Sequence, residues 1–241
     1  MAAADGRRRN GDADMKLERL TERIYYYPFE EERDRPNLGY IRGDCWSLAV
    51  DAGHSAAHTK EFYQAIQSAG LPLPALTVIT HWHWDHALGM HAVNGLTLSG
   101  KRTNGHLKAL RDQITREGPN ALLSLHESIR REYANGQTPI VTLADMTFEG
   151  EMELDLGNCP IRLLQTAAPH TDDSTLIFAP DEKALFVGDA ACGSFPDWEK
   201  DASLCRALAD TVESTRADIV LESHWTPAQR REFLQDLLSG E

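Results

Sequence analysis

The segment Thr80-His81-Trp82-His83-Trp84-Asp85-His86 places three imidazoles and a carboxylate within six residues. Imidazole nitrogen and carboxylate oxygen suit zinc, iron or manganese, and no neighbouring Cys offers a closed thiolate site. A strand ending at Thr80 delivers His81 and His83, two residues apart, to one side. A turn into a helix near Asp85 then lets four donors surround one small volume. A single His after a strand is more often a packing residue than a ligand. Three with an Asp reverse that expectation, because each unpaired polar side chain buried there costs about 1–3 kcal/mol.

The elements that must carry this turn can be read from periodicity. Strands are predicted over residues 20–27, 38–42, 45–51, 76–80 and 96–99, with a charged loop over 28–37. Asp51-Ala52-Gly53 ends the third, and Ser55 can cap a helix running to about residue 69. Residues 104–135 are helical in period with a break at Gly118-Pro119, which predicts a helical hairpin inserted between two β-rich halves. The second half predicts strands over 146–156, 161–166, 174–179, 184–187 and 218–222, and helices over 200–215 and 227–238. So many strands, with helices in both halves, fit an α+β sandwich of two mixed sheets flanked by helices. Residues 15–241 are predicted to form a single domain, with 1–14 as a disordered leader and Met15 as the natural start.

Composition narrows the partners. The 241 residues carry 24 Lys and Arg against 37 Asp and Glu, a net charge of −13. Such a chain repels nucleic-acid phosphate, so nucleic acid is not expected as a partner. No apolar run approaches the roughly 20 residues that cross a bilayer, and Arg7-Arg8-Arg9 is not followed by a secretory apolar stretch. Cys45, Cys159, Cys192 and Cys205 are scattered, which suggests reduced thiols and a cytoplasmic protein.

On these residues the chain resembles the metallo-β-lactamase-fold hydrolases. Their H-x-H-x-D-H loop is joined by a later His, an Asp in a Gly-Asp context and a C-terminal His. His170 in Ala168-Pro169-His170-Thr171, Asp189 in Val187-Gly188-Asp189 and His224 in Glu222-Ser223-His224 stand in that order. Val50-Asp51-Ala52-Gly53 adds to the likeness, which covers roughly residue 17 to the end. The resemblance implies a four-layer αβ/βα sandwich with the metals at one edge of the sheets. It implies two divalent metal ions per chain, zinc first, with iron or manganese compatible. His81, His83 and His170 would hold the first, Asp85, His86 and His224 the second, and Asp189 would bridge them.

The implied function is a dinuclear metal-dependent hydrolase that cleaves a small ester, thioester, lactone or amide through a metal-bridging hydroxide oriented by Asp85, its catalytic residue. The substrate is thus a small molecule with a hydrolysable acyl group; the oligomeric state is left open. The alternative is a mononuclear iron oxidoreductase resembling persulfide dioxygenases, which use part of the same ligand set. The usual Pro-Gly-His-Thr-Pro-Gly turn is reduced here to Pro169-His170-Thr171-Asp172-Asp173. Lactonases of this kind carry a Tyr three residues after the bridging Asp, where this chain has Cys192, which favours activated esters and thioesters over acyl-homoserine lactones.

Other residues divide between roles. Asp51 is either a turn residue or a neighbour of the metal site, and His54 is expected in solvent or in a cap. His58, His91, His106 and His126 are expected on helices, as surface or packing residues. Of Trp82 and Trp84, at least one is expected beneath the metal loop. Residues 25–33 stand where the family often has a mobile flap with an exposed aromatic, and residues 192–198 should line the site. The insert 104–135, with Arg130 and Arg131, is expected to cover the pocket.

Overall fold

A computed structural model describes residues 16–239 of the chain. Strands Glu18–Arg19 (β1), Ile24–Tyr27 (β2), Leu38–Arg42 (β3), Ser47–Val50 (β4), Leu76–Ile79 (β5), Leu96–Gly100 (β6) and Met146–Phe148 (β7) pair in sequence order as one sheet. Its pairing is antiparallel from β1 to β4 and parallel from β4 to β7. Strands Glu151–Asp155 (β8), Pro160–Gln165 (β9), Thr175–Ala179 (β10), Ala184–Gly188 (β11), Ile219–Glu222 (β12) and Ala228–Gln229 (β13) form the second sheet in the order β13-β12-β11-β10-β9-β8. There only β11 and β12 run parallel.

Helices Ala56–Ser68 (α1), Trp84–Ala87 (α2), Lys101–Glu117 (α3), Asn120–Leu123 (α4) and Glu127–Glu132 (α5) belong to the first half, Ala202–Thr215 (α6) and Arg230–Ser239 (α7) to the second. Period-two alternation decides the layering. In β10, Ile177 and Ala179 join Ile41, Val50, Val78 and Leu98 between the sheets. Leu176 and Phe178 face the other way, onto Leu208 and Val212 of α6 and Phe233 of α7. Phe62 and Ile66 of α1 cover Tyr27, Leu38 and Tyr40 on the outer side of the first sheet. The result is the four-layer αβ/βα sandwich, its two mixed sheets flanked by helices.

Caps set the helix starts. Ser55 accepts from the His58 N–H, and Asp201 accepts from the Ser203 and Leu204 N–H groups at the head of α6, satisfying donors that the first helical turn leaves free.

Three predicted elements differ. Residues 146–156 are two strands in different sheets: the chain leaves the first at Phe148, turns at Gly150 with φ +71° and enters the second at Glu151. Both pieces alternate, so periodicity could not see the crossing. The predicted final helix begins with β13, which pairs with β12 before α7 starts. The insert is one long helix followed by two short ones. Its Leu107, Leu110, Leu122 and Ile129 pack on Ile79, Trp84 and Leu88, so it props the H-x-H-x-D-H turn from behind. Arg130 donates to Leu123 O, while Arg131 pairs with Glu127 and donates to Glu32 O. The leader over 1–14 and the start at Met15 lie outside the described residues. Among those described, no helix is long and apolar enough to cross a membrane.

Candidate metal centre

The donors singled out in the sequence come from segments next to strand ends, and all arrive at one edge of the sandwich. His81 and His83 follow β5, Asp85 and His86 open α2, His170 precedes β10, Asp189 follows β11 and His224 follows β12. β4 and β5 are parallel, as are β11 and β12, so Asp51, His81, Asp189 and His224 leave carboxyl ends of parallel strands, where α/β sheets open their crevices. Gly188 allows the two sheets to meet there: it has φ +59°, and a Cβ on it would lie 2.8 Å from Thr80 Oγ1.

Two groups of donors result, each within 4.8 Å internally: His81, His83 and His170, and Asp85, His86, Asp189 and His224. Six of the seven residues are buried and His224 is half-buried. Asp189 Oδ2 stands between the groups, 3.7 Å from His170 Nε2, 3.4 Å from His86 Nε2 and 3.5 Å from His224 Nε2. Asp85 Oδ2 lies 3.1 Å from His224 Nε2 and 3.3 Å from His86 Nε2.

Hydrogen-bond partners fix which ring nitrogen faces inward. His86 Nδ1–H donates to Asp51 Oδ2 at 2.7 Å, and the Thr80 hydroxyl, 3.1 Å from His81 Nδ1, donates to the same carboxylate at 2.8 Å. Asp51 is therefore a carboxylate behind one imidazole of each group, directly for His86 and through Thr80 for His81, and so more than a turn residue. His170 Nδ1–H donates to Gly193 O at 2.7 Å, leaving its Nε2 2.8 Å from His83 Nδ1. His81 Nε2, His86 Nε2 and Asp189 Oδ1 are buried with no hydrogen-bond partner.

Charge follows from this packing. Burial, reinforced by the neighbouring imidazoles, holds His81 well below the ordinary range and His83 at about 3. Burial would also depress His86 and His224, but Asp85 and Asp189 overcome it and raise both. Burial opposes ionisation of Asp85 and Asp189 in turn, yet the imidazoles hold both well below the usual carboxylate range. Inward-facing imidazole nitrogens and buried carboxylates without enough hydrogen-bond partners are a cation-seeking set, and the orphaned N and O atoms fit divalent metal. His106, Asp172 and Asp173 also converge within 4.8 Å, but Arg102 already sits 3.5 Å from the Asp172 carboxylate. Asp173, fully buried, instead accepts from the Trp82 N–H at 3.1 Å and so pins the metal loop.

Several single-residue expectations change. His54 is fully buried with both ring nitrogens unpartnered, and burial lowers its pKa; it is in neither solvent nor a cap. His58 is a buried packing residue whose Nδ1 accepts from the His54 N–H. Trp84 packs beneath the loop, while Trp82 is half-buried against His106. Tyr26, Tyr27 and Phe29 are buried, so residues 25–33 present no exposed aromatic to a substrate. Burial, then Asp189, pushes the Cys192 thiol well up.

Sequence reasoning missed what ties residues 28–37 down. Asn37 Nδ2 donates to Glu222 O and Trp225 O, both at 2.7 Å, gripping the turn that carries His224 from both sides. Arg35, 1% exposed, forks onto Glu132 through Nε at 2.9 Å and Nη2 at 2.7 Å and reaches Glu61 at 2.7 Å. The partners lie so far away in sequence that nothing local marks either residue.

The fold agrees with the comparison to known proteins. Residues 47–224 match the Metallo-beta-lactamase superfamily, and the chain belongs to that superfamily. It is 24% identical over 221 residues to the acyl-coenzyme A thioesterase MBLAC2 of Gallus gallus, an alignment covering 82% of this chain and 75% of that protein. Over 151 residues it is 28% identical to the 2,4-dinitroanisole O-demethylase subunit alpha of Nocardioides sp. (strain JS1661), covering 62% of this chain and 39% of that one. The crystal structure of DIM-1 metallo-β-lactamase superposes with a TM-score of 0.65 at 20% identity, covering 94% of this chain and 96% of the other; that likeness concerns the fold.

Proposed function

We propose that the chain is a dinuclear metal-dependent hydrolase of small acyl compounds, with thioesters ahead of esters, lactones and amides. The observation that carries this reading is the convergence of seven N and O donors in which His81 Nε2, His86 Nε2 and Asp189 Oδ1 are buried without partners. His81, His83 and His170 would hold one ion, Asp85, His86 and His224 the other, and Asp189 both. When bound, divalent ions supply Lewis acidity toward an acyl oxygen and water that ionises near neutral pH.

The chain's own residues do the rest. Asp51 and Thr80 keep the Nε2 lone pairs of His81 and His86 turned inward, as carboxylates behind ligand imidazoles do. Asp85 is 5% exposed and can take a proton from the attacking water at one carboxylate oxygen and pass it to the leaving group. A thiol leaving group, with a reference pKa of about 8.5, needs that proton far less than an amine does. Cys192, a weak donor, offers little to a lactone carbonyl. The similarity to an acyl-coenzyme A thioesterase supports placing thioesters first.

A panel of matched thioester, ester, lactone and amide substrates tests the reading. The zinc-loaded protein is expected to cleave its best thioester with kcat/KM of about 10⁴ M⁻¹s⁻¹ or more, to lose that activity to a chelator, and to regain it with zinc. The lactone is expected to be at least about tenfold poorer, since its carbonyl lacks a strong donor. Acyl hydrolysis that is absent or indifferent to chelation, or substrate-dependent oxygen uptake by the iron-loaded protein, contradicts the proposal.

A further inference from the structure

One aromatic surface beside the centre has no part in holding metal. Trp198, in the loop after β11, is 47% exposed, yet its ring stacks on His170 with centroids 6.0 Å apart and 18° between planes. Phe195 meets it edge-on at 5.7 Å, and His126, just before α5, stands edge-on to both at 6.4 Å. Trp84 forms the floor, stacked on His126 at 5.6 Å and edge-on to Phe195 at 5.4 Å. Three separate segments thus converge on one aromatic shelf next to a donor of the first group.

The loop is shaped to present this indole. Trp198 has φ +58°, a left-handed conformation that costs a bulky residue on the order of 1 kcal/mol. Its carbonyl closes over Gly193, where a Cβ would lie 1.9 Å from the Trp198 oxygen, so only glycine accommodates the turn. Its N–H donates to Ser194 O at 2.7 Å, and Ser194 N–H donates to Glu199 O at 2.9 Å. A strained backbone that holds a large apolar ring half in water works against folding, and a ligand covering the ring offsets that cost.

We propose that Trp198, with Phe195 and His126, is the acyl subsite, selecting substrates whose acyl group is apolar and uncharged. The inference rests on the hydrolase reading for the identity of the ligand. The shelf adjoins His170, so an acyl carbon attacked beside the seven donors extends its tail across the indole, where burial and dispersion favour alkyl and aryl groups. Asp34, whose Oδ2 lies 3.9 Å from His126 Nδ1, sets a carboxylate at the rim and disfavours an anionic tail.

Calorimetric titration of the zinc-loaded protein with hexanoate and with acetate tests the shelf without turnover. Wild type is expected to bind hexanoate at least about tenfold more tightly than acetate. Trp198→Phe keeps most of that preference, and Trp198→Ala abolishes it with zinc content unchanged. Equal affinity for the two acids, or a preference that survives Trp198→Ala, overturns the subsite. Zinc loss from Trp198→Ala that Trp198→Phe restores also overturns it, by assigning the ring to support of His170. With hexanoyl and acetyl thioesters of one thiol, Trp198→Ala is expected to lower kcat/KM about tenfold for the first and less than about twofold for the second. If neither thioester is cleaved, the hydrolase reading fails, and the acid-binding comparison still decides the shelf.

Discussion

Asp85→Asn is expected to lower kcat for thioester hydrolysis by about 10²-fold or more while the protein keeps at least one metal ion. The amide fills the same space and retains an oxygen toward His224, 3.1 Å from the present carboxylate. It cannot accept a proton from water, and it removes a negative charge from a group of donors in which His86 and His224 each lie within 3.5 Å of both Asp85 and Asp189. Elemental analysis and single-turnover kinetics on the same preparation separate metal loss from chemical loss. A folded, metal-loaded variant with unchanged kcat removes Asp85 from the chemistry.

Arg35→Met is expected to destabilise the fold by about 3–5 kcal/mol, because it leaves a buried carboxylate without its cation. Arg35 and Glu132 are both 1% exposed at the side chain, and the Ser55 hydroxyl is the remaining donor to Glu132. Burial alone would raise Glu132, but Arg35 and Ser55 bring it below its ordinary 4.5. A depressed carboxylate contributes stability that is present above that ordinary value and lost as pH falls through the folded one. In Arg35→Met burial is opposed by Ser55 without the guanidinium, the shift reverses, and acid relieves the variant. Denaturant unfolding from about pH 7 down to about pH 3 should therefore show the gap between wild type and variant narrowing with acidity. A gap that stays constant contradicts the assignment.

These two residues mark what the sequence could and could not reveal. Asp85 was legible because its chemistry is packed into six consecutive residues, where period and ligand type reinforce each other. His170, Asp189 and His224 could be located only through the family resemblance, since each stands alone in its segment. Arg35 and Asn37 fall in what the sequence marks only as a charged loop. Their partners Glu132 and Glu222 lie 97 and 185 residues away, and side-chain pairing at that separation is decided by the folded topology. The same limit hid the crossing at Gly150, because both strands beside it alternate whichever sheet they join. Asp51 stood between two readings that the sequence alone weighted equally, and the contact with His86 decides between them.

The central claim is that the seven donors form one two-ion catalytic centre. Zinc added back in steps to the chelated protein, with bound metal and thioester hydrolysis measured on each sample, tests it most directly. Wild type is expected to bind about two ions per chain and to reach full activity only as the second is bound, while Asp189→Ala loses at least one. Saturation at one ion per chain, with the same stoichiometry in Asp189→Ala, would contradict the account.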